Sequence, residues 1–322
     1  MKPLIPIALC AAAIITADSP ARSQVALQVK RVGVVLSSPT GGRPYVAALR
    51  DGLRELGWVE GRDIAFEPRF YEAKPERIGE VASELVRLPV DVIVTGGVPP
   101  TRAIKQVTQT VPIVVASATD PAGNGLVTPG GNVAAFDVLP RDAAGKQLAL
   151  LRETLPALRR MAVVWNGSNP ASHLNFRRVR EAAEAQALEL IPVEVPGPAH
   201  LDTALAGLRR LGAEAIFVVA DPQFVVQRKR IGALTTAIGL PSLCQESDFA
   251  DGGCLMAYGA NLVDMFRQSA TYVDRILKGA RPADLPIGPP TRFELAINVG
   301  TAKAIGLTIP ESVLVRADRR IE

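Results

Sequence analysis

The sequence predicts an α/β protein built as two doubly wound lobes, with the chain crossing between them three times. Three observations carry this. Short β-branched runs alternate with helical segments from Arg31 onward, and after a break near Asp137–Asp142 the alternation resumes. The roughly 300 residues that follow a candidate leader are too many for one ordinary core and suit two of them. Late in the chain, Pro282, Pro286, Pro289 and Pro290 form a stiff extended connector that ends in an apolar strand. Such a connector lets the chain leave one packed layer and return to another.

Residues Met1 to about Ser23 have the pattern of a secretory signal. Lys2 is followed by an apolar run from Leu4 to Ile15, and Ala21-Arg22-Ser23 offers small residues for cleavage before Gln24. The run is well under the ~20 residues a bilayer requires. Cys10 lies inside it behind bulky Leu9, which argues against lipidation. An exported, periplasmic protein is expected.

The first winding reads as strand Val32–Leu36, helix Tyr45–Leu56 ending at Gly57, strand Ile64–Phe70, helix Pro75–Leu88, strand Val90–Val94, helix Pro99–Thr108 and strand Ile113–Ser117. These strands are continuous β-branched runs, as strands buried on both faces of a parallel sheet should be. Strand Val133–Phe136 and helix Asp142–Leu155 lead into the second winding. Its strands are Met161–Trp165, Leu190–Val195, Ala215–Val219 and Pro241–Cys244. Helices Ser172–Ala187, Leu201–Leu211 and Val225–Ile238 lie between them. Leu255–Tyr258 reads as a return strand and Asn261–Lys278 as a helix completing the first lobe. The expected division is therefore 1–23 as signal, 30–139 plus 255–284 as the N-terminal lobe, and 140–254 plus 285–322 as the C-terminal lobe. Each lobe is Rossmann-like, and the three crossings form the hinge.

Composition narrows the function. A net charge of +4 and scattered basic doublets (Arg159-Arg160, Arg177-Arg178, Arg209-Arg210, Arg319-Arg320) do not make the concentrated stripe that nucleic acid requires. Cys244 and Cys254 survive signal removal; an oxidising compartment permits a bridge, and two buried thiols are the alternative. With His173 and His200 the only histidines, no Cys/His zinc cluster can be assembled. No cofactor motif is present, and neither a Gly-x-Ser-x-Gly elbow nor a His-Glu-x-x-His helix occurs. No enzyme is expected.

Several segments occur in a specific order: 50–62 (RDGLRELGWVEGR), Lys74-Pro75-Glu76-Arg77, Val90–Val94 with Gly96-Gly97, Thr119-Asp120-Pro121, 129–133 (PGGNV), Trp165-Asn166, Asn169-Pro170, Ala220-Asp221-Pro222, Tyr258-Gly259 and the tail from Arg267 to Pro310. Together they resemble a family of ABC-transporter substrate-binding proteins with the type I periplasmic binding fold. Two departures stand out. The loop between Leu126 and Gly130 is shorter than the family pattern, and Ala134-Ala135-Phe136-Asp137 replaces a strand that usually contains Thr-Gly. The resemblance implies the solute-binding component of an ABC importer. Its expected partners are a small solute and the permease's transmembrane subunits, and it would work as a monomer that closes on its ligand.

In open α/β sheets, ligands bind beyond the carboxyl ends of the strands. At those ends stand Ser37, Ser38, Gly96, Gly97, Thr119, Asp120, Asn166, Asn169 and Asp221. Each has a structural alternative. The serines suit caps as well as a ligand carboxylate, and the glycines suit a tight turn as well as close backbone approach. The Asp-Pro pairs suit helix starts as well as a ligand ammonium, with Asp221 favoured over Asp120. Tyr71 and Tyr258 are the candidate stacking aromatics. With aromatics at only 5% of the chain, an amino acid or related organic acid is favoured over a sugar. Two other readings stay open: a ligand sensor docking to a membrane receptor, and a two-lobed racemase using Cys244 and Cys254 as opposed acid and base.

Overall fold

The computed structural model describes residues 29–322 apart from Ala73, Arg141 and Thr291. The expected signal, 1–23, lies outside the described residues. In the first lobe, strand β1 (Lys30–Leu36), helix α1 (Pro39–Glu55), β2 (Ile64–Phe70), α2 (Ile78–Arg87), β3 (Val92–Gly96), α3 (Val98–Val107), β4 (Ile113–Ala118) and β5 (Val133–Asp137) follow in order. The second lobe continues with α4 (Ala143–Thr154), β6 (Arg160–Trp165), α5 (Pro170–Ala185), β7 (Glu189–Glu194), α6 (Leu201–Ala206), β8 (Ala215–Val218), α7 (Pro222–Ala237), β9 (Ser242–Cys244) and β10 (Met256–Ala260). Helix α8 (Leu262–Leu277), β11 (Phe293–Asn298), α9 (Val299–Ala304), α10 (Glu311–Leu314) and β12 (Arg319–Ile321) complete the chain.

The strands form a five-stranded sheet, β2-β1-β3-β4-β5, and a seven-stranded sheet, β12-β11-β10-β9-β8-β6-β7. All neighbours are parallel except β10 and β11. Strand alternation builds a core on each face of each sheet. In the first lobe Val32, Val34, Val92 and Val94 enter one cluster while Val35, Ile93 and Val115 enter the other. Each such fully buried side chain contributes about 1.5–3 kcal/mol. Helix α8 packs its apolar stripe, including Met265, Phe266, Val273 and Ile276, onto the first-lobe cluster beside α1. The two helices approach closely because Gly52 has no side chain: a Cβ there would lie 2.5 Å from the Arg267 carbonyl oxygen.

The lobe boundaries differ from the expected ones at two places. Strand β10 was expected to open the first lobe's return, but it hydrogen-bonds β9 on one side and β11 on the other, inside the second sheet. The reason is pairing: its two edges are satisfied only between those strands, while Met256 and Ala257 fill the cores on the sheet's opposite faces. The second crossing therefore falls at Asn261, and only α8 returns. At the third crossing Leu285 is still in the first-lobe core, and Gly288 bonds the edge of β5 through Asp137 N to Gly288 O (2.8 Å) and Gly288 N to Ala135 O (3.0 Å). The chain leaves the first lobe after Gly288 rather than after Asp284. Strand β12, rich in arginine, was not expected at all.

Candidate functional site

The carboxyl ends of both sheets face each other across a cavity of about 80 Å³. From the first lobe come Ser37 after β1, Tyr71 after β2, Gly96 and Gly97 at the end of β3, and Ser117 to Thr119 at the end of β4; α1 and α8 add Tyr45, Leu262 and Phe266. From the second lobe come Asn169 and Ala171 at the start of α5, Ala220 to Pro222 before α7, Val225, and Glu246 after β9. The rings of Tyr45 and Phe266 stack at 4.9 Å and 11° to make one aromatic wall. The opposite side carries two carboxylates, Asp221 and Glu246, and no Arg, Lys or His lines the cavity among the described residues.

Asp221 is held from several directions. It caps α7, with Oδ1 accepting from Gln223 N at 2.9 Å, while Oδ2 accepts from Asn169 Nδ2 at 2.8 Å and Asn166 Nδ2 at 3.1 Å. It is 2% exposed. Burial pushes its carboxyl pKa up, and these donors pull it partly back. Donors on both oxygens favour a carboxylate over an amide at this position, since an amide would set its NH2 against one of them. Glu246 is in a different situation: its Oε2 is buried without a hydrogen-bond partner. Burial, and then the neighbouring charges of Asp248 and Asp221, push its pKa up to about 8, against the pull of Arg228.

The lobes also touch each other directly around the cavity. Tyr45 Oη on α1 donates to Asp248 Oδ2 at 2.8 Å, and Asn175 Nδ2 on α5 donates to Thr119 Oγ1 at 3.2 Å. Arg178 on α5 reaches Asp120 Oδ2 at 3.4 Å and the Leu139 carbonyl at 3.1 Å. Gly97, at φ +91°, lies against the second lobe: a Cβ added there would stand 3.2 Å from Pro222 Cγ. These contacts describe a closed cleft.

Of the residues singled out from sequence, Ser37, Tyr71, Gly96, Gly97, Thr119, Asn169 and Asp221 line the cavity. Four others lie off it. Ser38 caps α1, accepting from Gly41 N at 3.1 Å. Asp120 closes its own turn on Gly123 N at 3.0 Å and pairs with Arg178. Asn166 stands behind Asp221, and Tyr258 stacks on Phe293 at 5.7 Å on the second sheet. Sequence reasoning missed Tyr45, Phe266, Ser117 and Glu246. Glu246 was within reach, because it follows β9 as Asp221 follows β8, and the same strand-end rule covers both. Tyr45 and Phe266 carry no comparable signal, since an aromatic on a helix's apolar face reads as core.

Cys244 and Cys254 form a disulfide with Cα atoms 6.6 Å apart, both fully buried in the second lobe. The racemase reading needed free thiols on opposite sides of a substrate. These two are joined on the same side and do not line the cavity. Among the described residues, no group of three His, Cys, Asp or Glu could hold a metal ion, and no helix is long and apolar enough to cross a membrane.

Comparison with known proteins agrees with this architecture. The Tyrosine-binding protein of Clostridioides difficile (strain R20291) is 23% identical over 261 residues, spanning 79% of this chain and 74% of that protein. A solved ABC domain from Streptococcus pneumonia, in complex with L-Trp, superposes with a TM-score of 0.84 at 23% identity, covering 91% of this chain and all of that one (100%). A conserved domain protein from Vibrio cholerae O1 biovar El Tor gives 0.85 at 24% identity, with 91% and 100% covered. The model of the family described as ABC transporter substrate binding protein matches residues 31–321, nearly the whole described chain. With two parallel-sheet lobes of the type I periplasmic binding fold and a family match of that extent, this chain belongs to the ABC transporter substrate-binding proteins.

Proposed function

We propose that the protein is the extracytoplasmic solute-binding component of an ABC importer and that its solute is an amino acid with an aromatic side chain. The observation that carries this is the chemical polarity of the cavity. Two carboxylates stand on the second-lobe side, and the Tyr45–Phe266 stack and Tyr71 stand on the first-lobe side, with no basic residue lining it among the described residues. A free organic acid would bring a negative charge toward the Asp221 carboxylate without a counter-ion. An ammonium answers Asp221, hydroxyls at Ser37, Ser117 and Thr119 can meet a carboxylate, and the aromatic wall covers a ring. The ligands named for two relatives, tyrosine and L-Trp, fit the same chemistry.

The mechanism is closure. A ligand touching both rims stabilises the closed state over the open one by its contacts with the far lobe, and the permease subunits then engage the closed form. A thermal-shift screen of protein begun at Gln24, run against amino acids, organic acids and nucleosides, tests the reading. L-tyrosine or L-tryptophan should raise the melting temperature most. A response to benzoate or a nucleoside with silence from every amino acid would overturn it.

A further inference from the structure

Glu246 is the residue of the cleft that the fold leaves uncompensated. Asp221 has three donors; Glu246 Oε2, buried at the same cavity, has none. The groups that face it come from three elements. Asp248 stands two residues on in the same turn, Asp221 and Arg228 come from the start and middle of α7, and the Tyr45 phenol comes from α1. Two of these are acids, the phenol is already donating to Asp248, and Arg228 turns its Nη1 to the Val225 carbonyl at 3.0 Å. The α8 wall opposite is apolar, Leu262 and Phe266. A half-buried carboxylate with one oxygen sealed from water and unpaired, beside two other acids, is costly as an anion, and it is relieved either by a proton or by a cation.

We propose that Glu246 is the residue by which this cleft selects an ammonium-bearing solute, carrying a proton in the ligand-free protein and releasing it to solvent as the ammonium enters. The exchange balances. The neutral carboxylic acid of Glu246 and the cationic ammonium of the solute become a carboxylate–ammonium ion pair, and one proton leaves to water. The ammonium then sits between Asp221 and Glu246, each on its own strand end of the second lobe. A solute without an amine meets a protonated, neutral Glu246 and gains nothing from its ionisation. This rests on the amino-acid reading above and adds to it a residue and a proton.

The sign follows from the exchange: binding that expels a proton strengthens as pH rises. With Glu246 titrating at about 8, affinity should increase about 50-fold between pH 6 and pH 8, over which the ligand amine stays largely charged. Calorimetric titrations with L-tyrosine and L-tryptophan, run in two buffers of different ionisation enthalpy, should show this rise and close to one proton released at pH 6. Glu246→Gln should flatten the pH profile and abolish the release while still binding. A Glu246→Gln variant that keeps the wild-type pH slope overturns the proposal and leaves the amino-acid reading standing. 3-(4-Hydroxyphenyl)propionate, which lacks the amine, should show no strengthening with pH; a 50-fold rise for it would also overturn the proposal. Should neither amino acid bind, the reading of the solute falls separately. The Glu246 carboxyl carbon, followed by NMR in ligand-free protein and assigned by difference from Glu246→Gln, still decides the residue's state. A midpoint near 8 is expected, and a midpoint below 6 overturns the proposal.

Discussion

Removing the Asp221 carboxylate separates ligand recognition from scaffolding, because the structure gives it both tasks. Its two oxygens accept from Gln223 N, Asn169 Nδ2 and Asn166 Nδ2 while the residue lines the cavity. A charged hydrogen bond to a ligand ammonium is worth about 1.5–3 kcal/mol, so Asp221→Ala should weaken binding of L-tyrosine or L-tryptophan by about 10- to 150-fold. The same change removes the α7 cap, at about 1 kcal/mol, and orphans two buried amides at about 1–3 kcal/mol each. Relief of a desolvated carboxylate offsets part of that, so a melting temperature lower by several degrees is expected. Asp221→Asn tests recognition with less damage, since it keeps an oxygen for the cap, although its own NH2 then confronts the Asn166 or Asn169 donor. Calorimetry on folded protein gives affinity, and thermal denaturation gives stability. If both variants bind within threefold of wild type while melting lower, Asp221 is scaffold alone and the reasoning fails.

Four other outcomes are expected. The pKa of Glu246 lies at about 8 in the folded protein against its ordinary value of 4.5, so the folded state prefers the proton; stability is fully present below 4.5 and is lost as pH rises through 8. Between pH 5.5 and 8.5 this amounts to about 3 kcal/mol, and urea denaturation of Glu246→Gln should show that much less loss over the same interval. Reducing the Cys244–Cys254 bond, whose partners are separated by 10 positions, should cost about 3 kcal/mol by loop-closure entropy yet leave ligand affinity within a few-fold. Arg178→Ala removes the pair with Asp120 and the bond to Leu139, so solution scattering should show a larger radius of gyration for the ligand-free protein and a greater contraction on adding a saturating ligand. Protein recovered from a periplasmic fraction should begin near Gln24 by mass spectrometry; intact Met1 in the cytosol would contradict export.

The windings were legible because each strand is a short β-branched run closed by a turn residue; Ile64–Phe70 has the same bounds in sequence and structure. Helix α1 shows where propensity misleads. Gly41, Gly42 and Pro44 hid its first turns, which Ser38 caps and the close packing of Gly42 on Leu36 and Phe70 requires. β10 was seen as a strand but placed in the wrong lobe, since its partners are non-local and nothing in its own residues names them. β12 has two arginines at the sheet edge and so no apolar signature. At the site, strand-end polar residues could be read directly. Tyr45 and Phe266 could not, because they reach the cavity only after α1 and α8 dock side by side on one face of the first sheet.

The two crossings beside Val138 and Leu262 have a consequence for which solutes can be retained. Both residues line the cavity, Val138 directly after β5 and Leu262 directly after Asn261. They therefore lie near the pivot, where rotation of one lobe on the other moves atoms least. Tyr45 and Asp248, whose side chains meet between the lobes, stand on helix α1 and on the turn after β9 rather than on a crossing, and would move more in the same rotation. A molecule resting only on the floor would leave the angle between lobes almost free, however well it fitted there. One long enough to reach from Leu262 to the Asp221 side would restrain the whole swing, so the solute's length, measured outward from the axis, becomes a selection rule separate from its charge.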